Sequence, residues 1–330
     1  MPKQPSNRPS IWWHFLRFRE AGISIFILLL AIVVTLRAPS FLTLDNINNI
    51  LLNISILIIV ALAQTMVIIT HGIDLSVSSI IGLVAMMVAF FVKENPGMPV
   101  ILSVLLGMAL GATLGMFNGL VVSRGNVPPI IATLGTLSIY RGLVFFYSQG
   151  TWINSFELPK EFKMLSKGTA FGLPNIVIIA LLVALVVYYF LNHTRAGRDI
   201  YAVGTNPEAA QFAGISKQRV IFMVYVLSGL LSGLAAVLWA SRFESAQTNT
   251  AAGFELQTVA ASVVGGVSIS GGVGTVPGVL LGALLLGVIQ NSLTLIRISP
   301  FWQLAAQGLL ILVAVISDKW ILSRVERTNK

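Results

Sequence analysis

Long apolar segments recur from one end of the chain to the other, and this feature constrains the fold more than any other. Hydrophobic residues occupy 56% of the 330 positions and charged residues only 10%, whereas a soluble domain carries about a quarter charged residues. Such a chain cannot cover its surface with groups that water solvates. The composition therefore excludes a soluble enzyme and a disordered protein, and it predicts an integral membrane protein.

The apolar segments predict an all-α fold of about ten transmembrane helices, in a single membrane domain over residues 1–330. A helix needs about 20 mostly apolar residues to cross the hydrocarbon core of a bilayer. The third and the eighth segments are short and interrupted by Gly and Ser, so we expect either full crossings or broken, re-entrant helices there. The ten segments cover residues 20–38, 48–70, 76–93, 99–122, 129–148, 174–192, 219–240, 256–269, 274–296 and 300–317.

The distribution of basic residues predicts the orientation of these spans. With ten spans, both termini lie on the same side of the membrane as the polar segment 193–218. That side carries thirteen of the 21 Lys and Arg residues, and the other side carries seven. Because cytoplasmic segments are enriched in Lys and Arg, we expect the tails 1–19 and 318–330 to be cytoplasmic. The same distribution accounts for the net charge of +9, so no nucleic-acid partner is predicted.

The sequence carries none of the common signatures of catalysis or metal binding. It has no Cys, its three His residues are far apart, and it contains no HExxH, GxSxG or GxxxxGK[ST] motif. These absences give no support for a catalytic residue, a metal site or a cofactor on this chain. ATP in particular has no phosphate-binding loop to occupy.

The two halves of the chain resemble each other weakly. Asp74 opens the third segment as Glu255 opens the eighth, and Asn118 ends the fourth as Asn291 ends the ninth. The matches fall five spans apart, which is an odd number, so the two copies would run in opposite directions. Such a 5+5 inverted repeat is typical of transporters. The alternative is that apolar helices rich in Gly and Ala resemble each other without being repeats.

The polar segment 193–218 contains a strong helix-start signal. Asn206 suits an N-cap, Pro207 the first helical position and Glu208 the first turn, while Gly214 suits the end of the helix. The sequence predicts a short helix of two turns on the cytoplasmic face. This helix either enters a groove on a partner protein or packs on its own chain.

Several motifs in the same order resemble those of the permease subunits of ribose-type monosaccharide ABC importers. Autoinducer-2 importer permeases are similar. The resemblance extends from about residue 40 to residue 315, and His71 and Ser78 stand where the family usually has Gly. The motifs are His71–Ser79 (HGIDLSVSS), Ile131–Thr136 (IATLGT), Gly197–Ile215 with its Asn-Pro-Glu-Ala-Ala core, and Val264–Thr275.

This resemblance implies a multi-pass permease of the bacterial inner membrane that performs no chemistry itself. A second permease, identical or a sister chain, would complete a dimer. A separate cytoplasmic ATPase would bind ATP and Mg²⁺, and an extracytoplasmic binding protein would deliver the solute. The motif match assigns the contact with the ATPase to Arg195, Gly197, Arg198, Gly204, Asn206, Pro207, Glu208, Ala209, Ala210 and Gly214.

The polar residues of the apolar spans are candidates for the solute path. Asp74 is either a functional ionisable group or an N-cap that accepts from the amides of Ser76 or Val77. Arg141 either pairs with Asp74 or with backbone carbonyl groups, or lies nearer the membrane interface than the middle of its span. The amide side chains either line a path or hold helices together. The candidate path residues are Gln64, Asp74, Asn118, Arg141, Gln290 and Asn291.

The solute and the energy source have alternatives. The importer carries either a monosaccharide or a related polyol-like solute, or autoinducer-2. A different hypothesis is an ion-driven symporter that uses Asp74 and Arg141 as a charge relay. Replacing Asp74 by Asn separates the two mechanisms, because a proton-coupled carrier needs an ionisable group there and a cap does not.

Regularly spaced glycines predict close helix packing rather than ligand sites. They stand four residues apart in the fourth segment and nearly so in the ninth. The two sets are Gly107, Gly111 and Gly115, and Gly278, Gly282 and Gly287.

Overall fold

The computed structural model describes residues 19–299 and six further positions between 302 and 316. The regular secondary structure of this part is helical apart from an isolated bridge between Ile153 and Ala246 and one antiparallel pair of two-residue strands, β1 (Thr169–Ala170) and β2 (Leu173–Pro174). Most of the predicted tenth span and nearly all of the two predicted tails lie outside the described residues. Helices dominate because apolar sequences inside a bilayer must satisfy their backbone hydrogen bonds within the segment.

Twelve α-helices lie within residues 19–299. They are α1 (Arg19–Arg37), α2 (Leu44–Ile69), α3 (Val77–Glu94), α4 (Val100–Ser123), α5 (Pro129–Ser148), α6 (Lys160–Lys167), α7 (Asn175–His193), α8 (Arg195–Thr205), α9 (Pro207–Phe212), α10 (Lys217–Phe243), α11 (Phe254–Val264) and α12 (Val276–Leu295).

Eight of these helices are long and apolar enough to cross a membrane. They are α1, α2, α3, α4, α5, α7, α10 and α12, and they correspond to eight of the ten predicted segments. The third segment is one continuous helix of 18 residues, so it is not broken. The eighth is shorter than predicted: α11 has 11 residues and ends at Val264, because the chain turns at Gly265 and at Gly266, whose φ is +96°.

The polar segment 193–218 contains more helix than we expected. Segment 193–218 is not an open loop with one helix, because two helices, α8 and α9, fill most of it. Thr194 starts α8 by accepting a hydrogen bond from the Gly197 amide (3.0 Å). At the opposite end of the bundle, segment 149–173 contains a 3₁₀ turn, Ser155–Glu157, followed by α6 and β1.

Helix α10 is the centre of the bundle and packs against α4, α3 and α2. Helix α2 is buried along almost its whole length from Ile54 to Ile69, as a helix that is apolar on every side must be in a protein core. Helices α11 and α12 cover the other side of α2. By contrast, α1 and α7 leave large apolar side chains such as Leu36 and Leu185 exposed, which is the composition of a lipid-facing surface.

Candidate functional site

A buried polar cluster lies where the turn between α2 and α3 meets α4 and α10. Asp74 has no exposed surface. Its carboxylate accepts hydrogen bonds from the Ser76 amide (3.0 Å), the Ser76 hydroxyl (2.6 Å) and the Ser228 hydroxyl of α10 (3.0 Å). The expected bond from the Ser76 amide is therefore present. Asp74 itself lies just before α3, because the N-cap position of that helix is Ser76.

Two predicted path residues join Asp74 in this cluster. The Gln64 side-chain amide lies against the main chain of Asp74. In the amide orientation that satisfies both groups, it donates to the Asp74 carbonyl oxygen and accepts from the Asp74 N–H, each at 3.0 Å. The Asn118 amide donates to the Ser76 hydroxyl (2.7 Å). The Tyr140 hydroxyl donates to the Leu114 carbonyl oxygen (2.9 Å) and lies 3.2 Å from the Asn118 side-chain oxygen. The cluster thus links four helices through mutually bonded groups.

Arg141 directly follows Tyr140 in α5, but its side chain bonds to the segment that joins α10 to α11 and not to this cluster. Its Nη1 donates to the carbonyl oxygens of Thr248 (3.2 Å) and Thr250 (2.8 Å). The guanidinium crosses α3 at Gly82, where a Cβ would come within 2.9 Å of Nη1. Of the two partners considered for Arg141, the backbone carbonyl groups are the ones it contacts, and the glycine in α3 makes room for it.

The remaining predicted path residues connect helices. Asn291 of α12 and Asn46 of α2 exchange a pair of amide hydrogen bonds (2.7 and 3.0 Å). Gln290 donates to the Gln257 side chain of α11 (3.3 Å). The six predicted residues therefore do not form one hydrogen-bonded site: Gln64, Asp74 and Asn118 cluster together, while Arg141, Gln290 and Asn291 bond to other segments.

Helix α9 starts and ends as its sequence predicts. The Asn206 side chain accepts from the amides of Glu208 and Ala209, both at 3.0 Å, and Gly214 has a φ of +80°. Glu208 and Phe212 are exposed, Phe212 by 94%. An aromatic side chain so exposed at a helix end is unusual, and sequence reasoning missed it because α9 contains no apolar periodicity.

The predicted contact residues fall into an exposed set and a buried set, with Pro207 half-buried between them. Arg195, Arg198, Asn206, Glu208, Ala209 and Gly214 are exposed, whereas Gly197, Gly204 and Ala210 are buried. The buried residues allow α8 and α9 to pack closely on the bundle; the site of this packing at Gly204 is called the seat below. At Gly204, a Cβ would overlap the carbonyl oxygen of Ile69, the last residue of α2.

The same carbonyl group joins a third segment to this seat. The Ile69 oxygen accepts from the Gly272 amide (2.9 Å), and the Tyr201 hydroxyl of α8 donates to the Gly274 carbonyl oxygen (2.7 Å). Burial raises the pKa of the Tyr201 hydroxyl above its ordinary value, so it stays protonated and able to donate. Helix α8 is thus fixed both to the end of α2 and to the turn between α11 and α12.

A cavity of about 780 Å³ opens beside α9. It lies between α9, the start of α10, the end of α2 and the turn between α4 and α5. Polar side chains from all of these segments face it: His71, Ser123, Asn126, Gln211, Lys217 and Gln218.

Comparison with known proteins shows the family of this chain. Residues 46–315 match the family described as the branched-chain amino acid transport system permease component. The chain belongs to this permease family. It is 39% identical to the ribose import permease of Bacillus subtilis (strain 168) over 91% of this chain and 93% of the relative.

Two further relatives are named for other solutes. The galactose/methyl galactoside import permease of Escherichia coli (strain K12) is 37% identical over 91% of this chain and 94% of the relative. The autoinducer 2 import system permease of Enterobacter sp. (strain 638) is 35% identical over 96% and 92%. No solved structure matches the chain. The resemblance recognised in the sequence motifs is confirmed, and the protein is a permease component rather than a catalytic subunit.

Proposed function

We propose that this protein is the permease of an ATP-driven importer that moves a monosaccharide across the bacterial inner membrane. The observation that carries the proposal is the pair α8 and α9, which presents Glu208 and Phe212 outward while its buried glycines rest on the bundle. The chain has no phosphate-binding loop, so ATP and Mg²⁺ bind to a partner ATPase that docks on α9. Ribose and galactose relatives favour a sugar as the solute.

In this proposal, the movement of α8 and α9 switches the solute path between two states. ATP binding to the partner displaces α9, and the seat at Gly204 passes that displacement to α2 and to the turn before α12. Asp74, Gln64 and Asn118 lie directly above this seat along α2 and α4, and the cavity beside α9 is the exit of the path. Such a switch needs a partner that binds one state better than the other.

The packing of the helices supports the 5+5 inverted repeat. Helix α10 packs on α4, as α2, its counterpart five spans earlier, packs on α12. Helix α3 contacts α10 and α4, and its counterpart α11 contacts α2 and α12. The Asp74 turn and the Glu255 turn then occupy equivalent places at opposite ends of the bundle.

The orientation of the chain in the membrane and the assembly of the importer follow from the surface on which the ATPase docks. Because α8 and α9 face the cytoplasm in this proposal, both chain termini are cytoplasmic as well. The whole chain is one permease domain, paired with a second permease that is either identical or a sister chain. A binding protein delivers the solute to the opposite end, where α6 and the β1–β2 pair lie.

Affinity purification of the tagged permease from gently solubilised membranes tests the proposal. We expect a stoichiometric ATPase to copurify with the wild type and to be lost in Glu208→Lys and Phe212→Ala. Glu161→Lys, an exposed substitution on α6 at the other end, is the matched control and should retain the ATPase.

Uptake assays complete the test. ATP-dependent accumulation of D-ribose or D-galactose supports a sugar importer, and accumulation of autoinducer-2 instead would change only the solute. A permease that purifies alone, with uptake that survives ATP depletion and collapses with the ion gradient, would overturn the proposal in favour of a symporter.

A further inference from the structure

The polar groups in the two halves of the bundle differ in how well they are satisfied. A buried charged atom without a hydrogen-bond partner is costly and rare, especially inside a membrane. In the half near α8 and α9, both oxygens of the Asp74 carboxylate accept hydrogen bonds from Ser76 or Ser228. Both acceptor oxygens of Asp74 are therefore engaged in contacts that stabilise the fold.

The other half contains a carboxylate that is not satisfied in this way. Glu255 lies in the first turn of α11, and its Oε2 is buried and accepts no hydrogen bond from the part of the chain that the structure describes. A structural carboxylate in such a place would be expected to have donors around it, as Asp74 has.

Arg141 carries the opposite charge, but it forms no salt bridge with Glu255 and so does not neutralise it directly. The two side chains interact electrostatically. Both lie within the part of the chain that the structure describes, and they form no ion pair with each other there. Arg141 is held back by the carbonyl oxygens of Thr248 and Thr250, to which it donates through Nη1 alone. The guanidinium has further N–H groups besides those of Nη1. Arg141 therefore retains hydrogen-bond donors, while Glu255 retains an acceptor in Oε2.

We propose that Arg141 and Glu255 form a binding site for the hydroxyl groups of a neutral polyhydroxylated solute in the entry half of the path. A carboxylate accepts from a hydroxyl hydrogen, and a guanidinium donates to a hydroxyl oxygen, so adjacent hydroxyl groups of a sugar satisfy both. A pair with no net charge suits a neutral solute and disfavours an ion of either sign. This inference rests on the proposed function, because it assigns a site on that importer's path.

The carbonyl groups that hold Arg141 are part of the same site. Thr248 and Thr250 belong to the segment that joins α10 to α11, and both are largely buried. This segment and Gly82 fix the guanidinium before any solute arrives. A site whose groups are held in place loses less conformational freedom on binding, which favours selectivity for the arrangement of hydroxyl groups.

The test compares Glu255→Gln with wild type in cells that carry the complete importer, using labelled D-ribose. Loss of one charge-assisted hydrogen bond predicts an uptake rate at subsaturating solute about tenfold lower. Glu94→Gln, an exposed carboxylate at the same end of the bundle, is the control and should leave uptake unchanged. The amount of permease in the membrane and its copurification with the ATPase are measured for each variant.

Monodeoxy analogues of ribose separate solute binding from a structural role. If Glu255 accepts from one hydroxyl, the analogue without that hydroxyl should be transported at similar rates by wild type and Glu255→Gln. A variant that loses all analogues equally, or that recovers uptake when Arg141→Gln is added, would show that the pair serves the fold and would overturn the proposal. A wild type without ATP-dependent uptake of D-ribose, D-galactose or autoinducer-2 would instead refute the proposed function, whereas normal uptake by Glu255→Gln would refute only this site.

Discussion

Gly111 of α4 and Gly229 of α10 lie so close together that a Cβ on either would overlap the carbonyl oxygen of the other. Gly107 and Gly115 extend the same contact along α4, against Gly233 and Gly229. Helices in a membrane gain little from burying apolar surface against each other, so close backbone contact is a main source of their association. This seam fixes α4, and with it Asn118, against the central helix.

We expect Gly111→Ala to destabilise the permease, although alanine favours a helix more than glycine does. The added methyl group would separate α4 from α10 at a cost of about 1–3 kcal/mol. Thermal unfolding in detergent measures this as a lower midpoint. Gly135→Ala in α5 is the control, because a Cβ there meets nothing within 4 Å. Equal midpoints for the two variants would contradict the role of the seam.

Asp74→Asn should retain ATP-driven uptake with a modest loss of stability. An asparagine oxygen can still accept from the Ser76 amide, and the Ser228 hydroxyl can rotate to accept from the new amide group. Asp74→Ala removes every acceptor and leaves both hydroxyls without their present partner, so it should lower the unfolding midpoint much more. Uptake is measured after each variant is matched for membrane content. Loss of accumulation in Asp74→Asn alone would indicate a proton relay and a symporter.

Local signals in the sequence predicted much of the fold. A membrane span is recognised from the length of an apolar run alone, without knowledge of its tertiary contacts. Eight of the ten predicted segments are helices able to cross a membrane. The cap at Asn206 and the stop at Gly214 are equally local, so α9 is where the sequence predicts it. Of the two alternatives for the third span the continuous helix is correct, because Gly82 serves to admit Arg141 rather than to break α3.

The contacts that build the sites were not predictable, because their partners are distant in the chain. Ser228 bonds to Asp74 across 154 positions, and Thr248 holds Arg141 across 107. No local pattern indicates which serine or carbonyl group among many will face a given charge. Proximity of Asp74 and Arg141 was therefore a reasonable hypothesis from composition that only the packing of the helices could decide.

The stability of the end opposite α9 should fall in acid because of Glu244. Hydrogen bonds from Lys167 and Ser155, together with the nearby Lys163, hold the pKa of the Glu244 carboxyl below its ordinary value. Because the folded pKa is the lower one, this stabilisation is fully present above the ordinary glutamate pKa of about 4.3 and is lost as pH falls through the folded value. The carboxyl is near the surface, so the effect is small and salt reduces it.

Unfolding midpoints between pH 7 and pH 4, at low and high salt, measure this contribution. We expect Glu244→Gln to lower the midpoint at neutral pH and to remove part of its acid dependence. Glu161→Gln, an exposed change on the neighbouring α6, should follow the wild-type curve. A Glu244→Gln curve that coincides with wild type at every pH would show that the contacts with Lys167 and Ser155 contribute nothing.

Gly204→Ala should separate ATP hydrolysis from transport. Alanine favours the α8 helix, but its Cβ would overlap the Ile69 carbonyl oxygen and lift α8 from the end of α2. The exposed surface of α9 is unchanged, so the ATPase should still bind, while solute moved per ATP hydrolysed should fall several-fold. Gly22→Ala in α1, where a Cβ meets nothing within 4 Å, should leave that ratio as in wild type. An unchanged ratio in Gly204→Ala would mean that displacement of α9 reaches the path by some other contact than the one between Gly204 and Ile69.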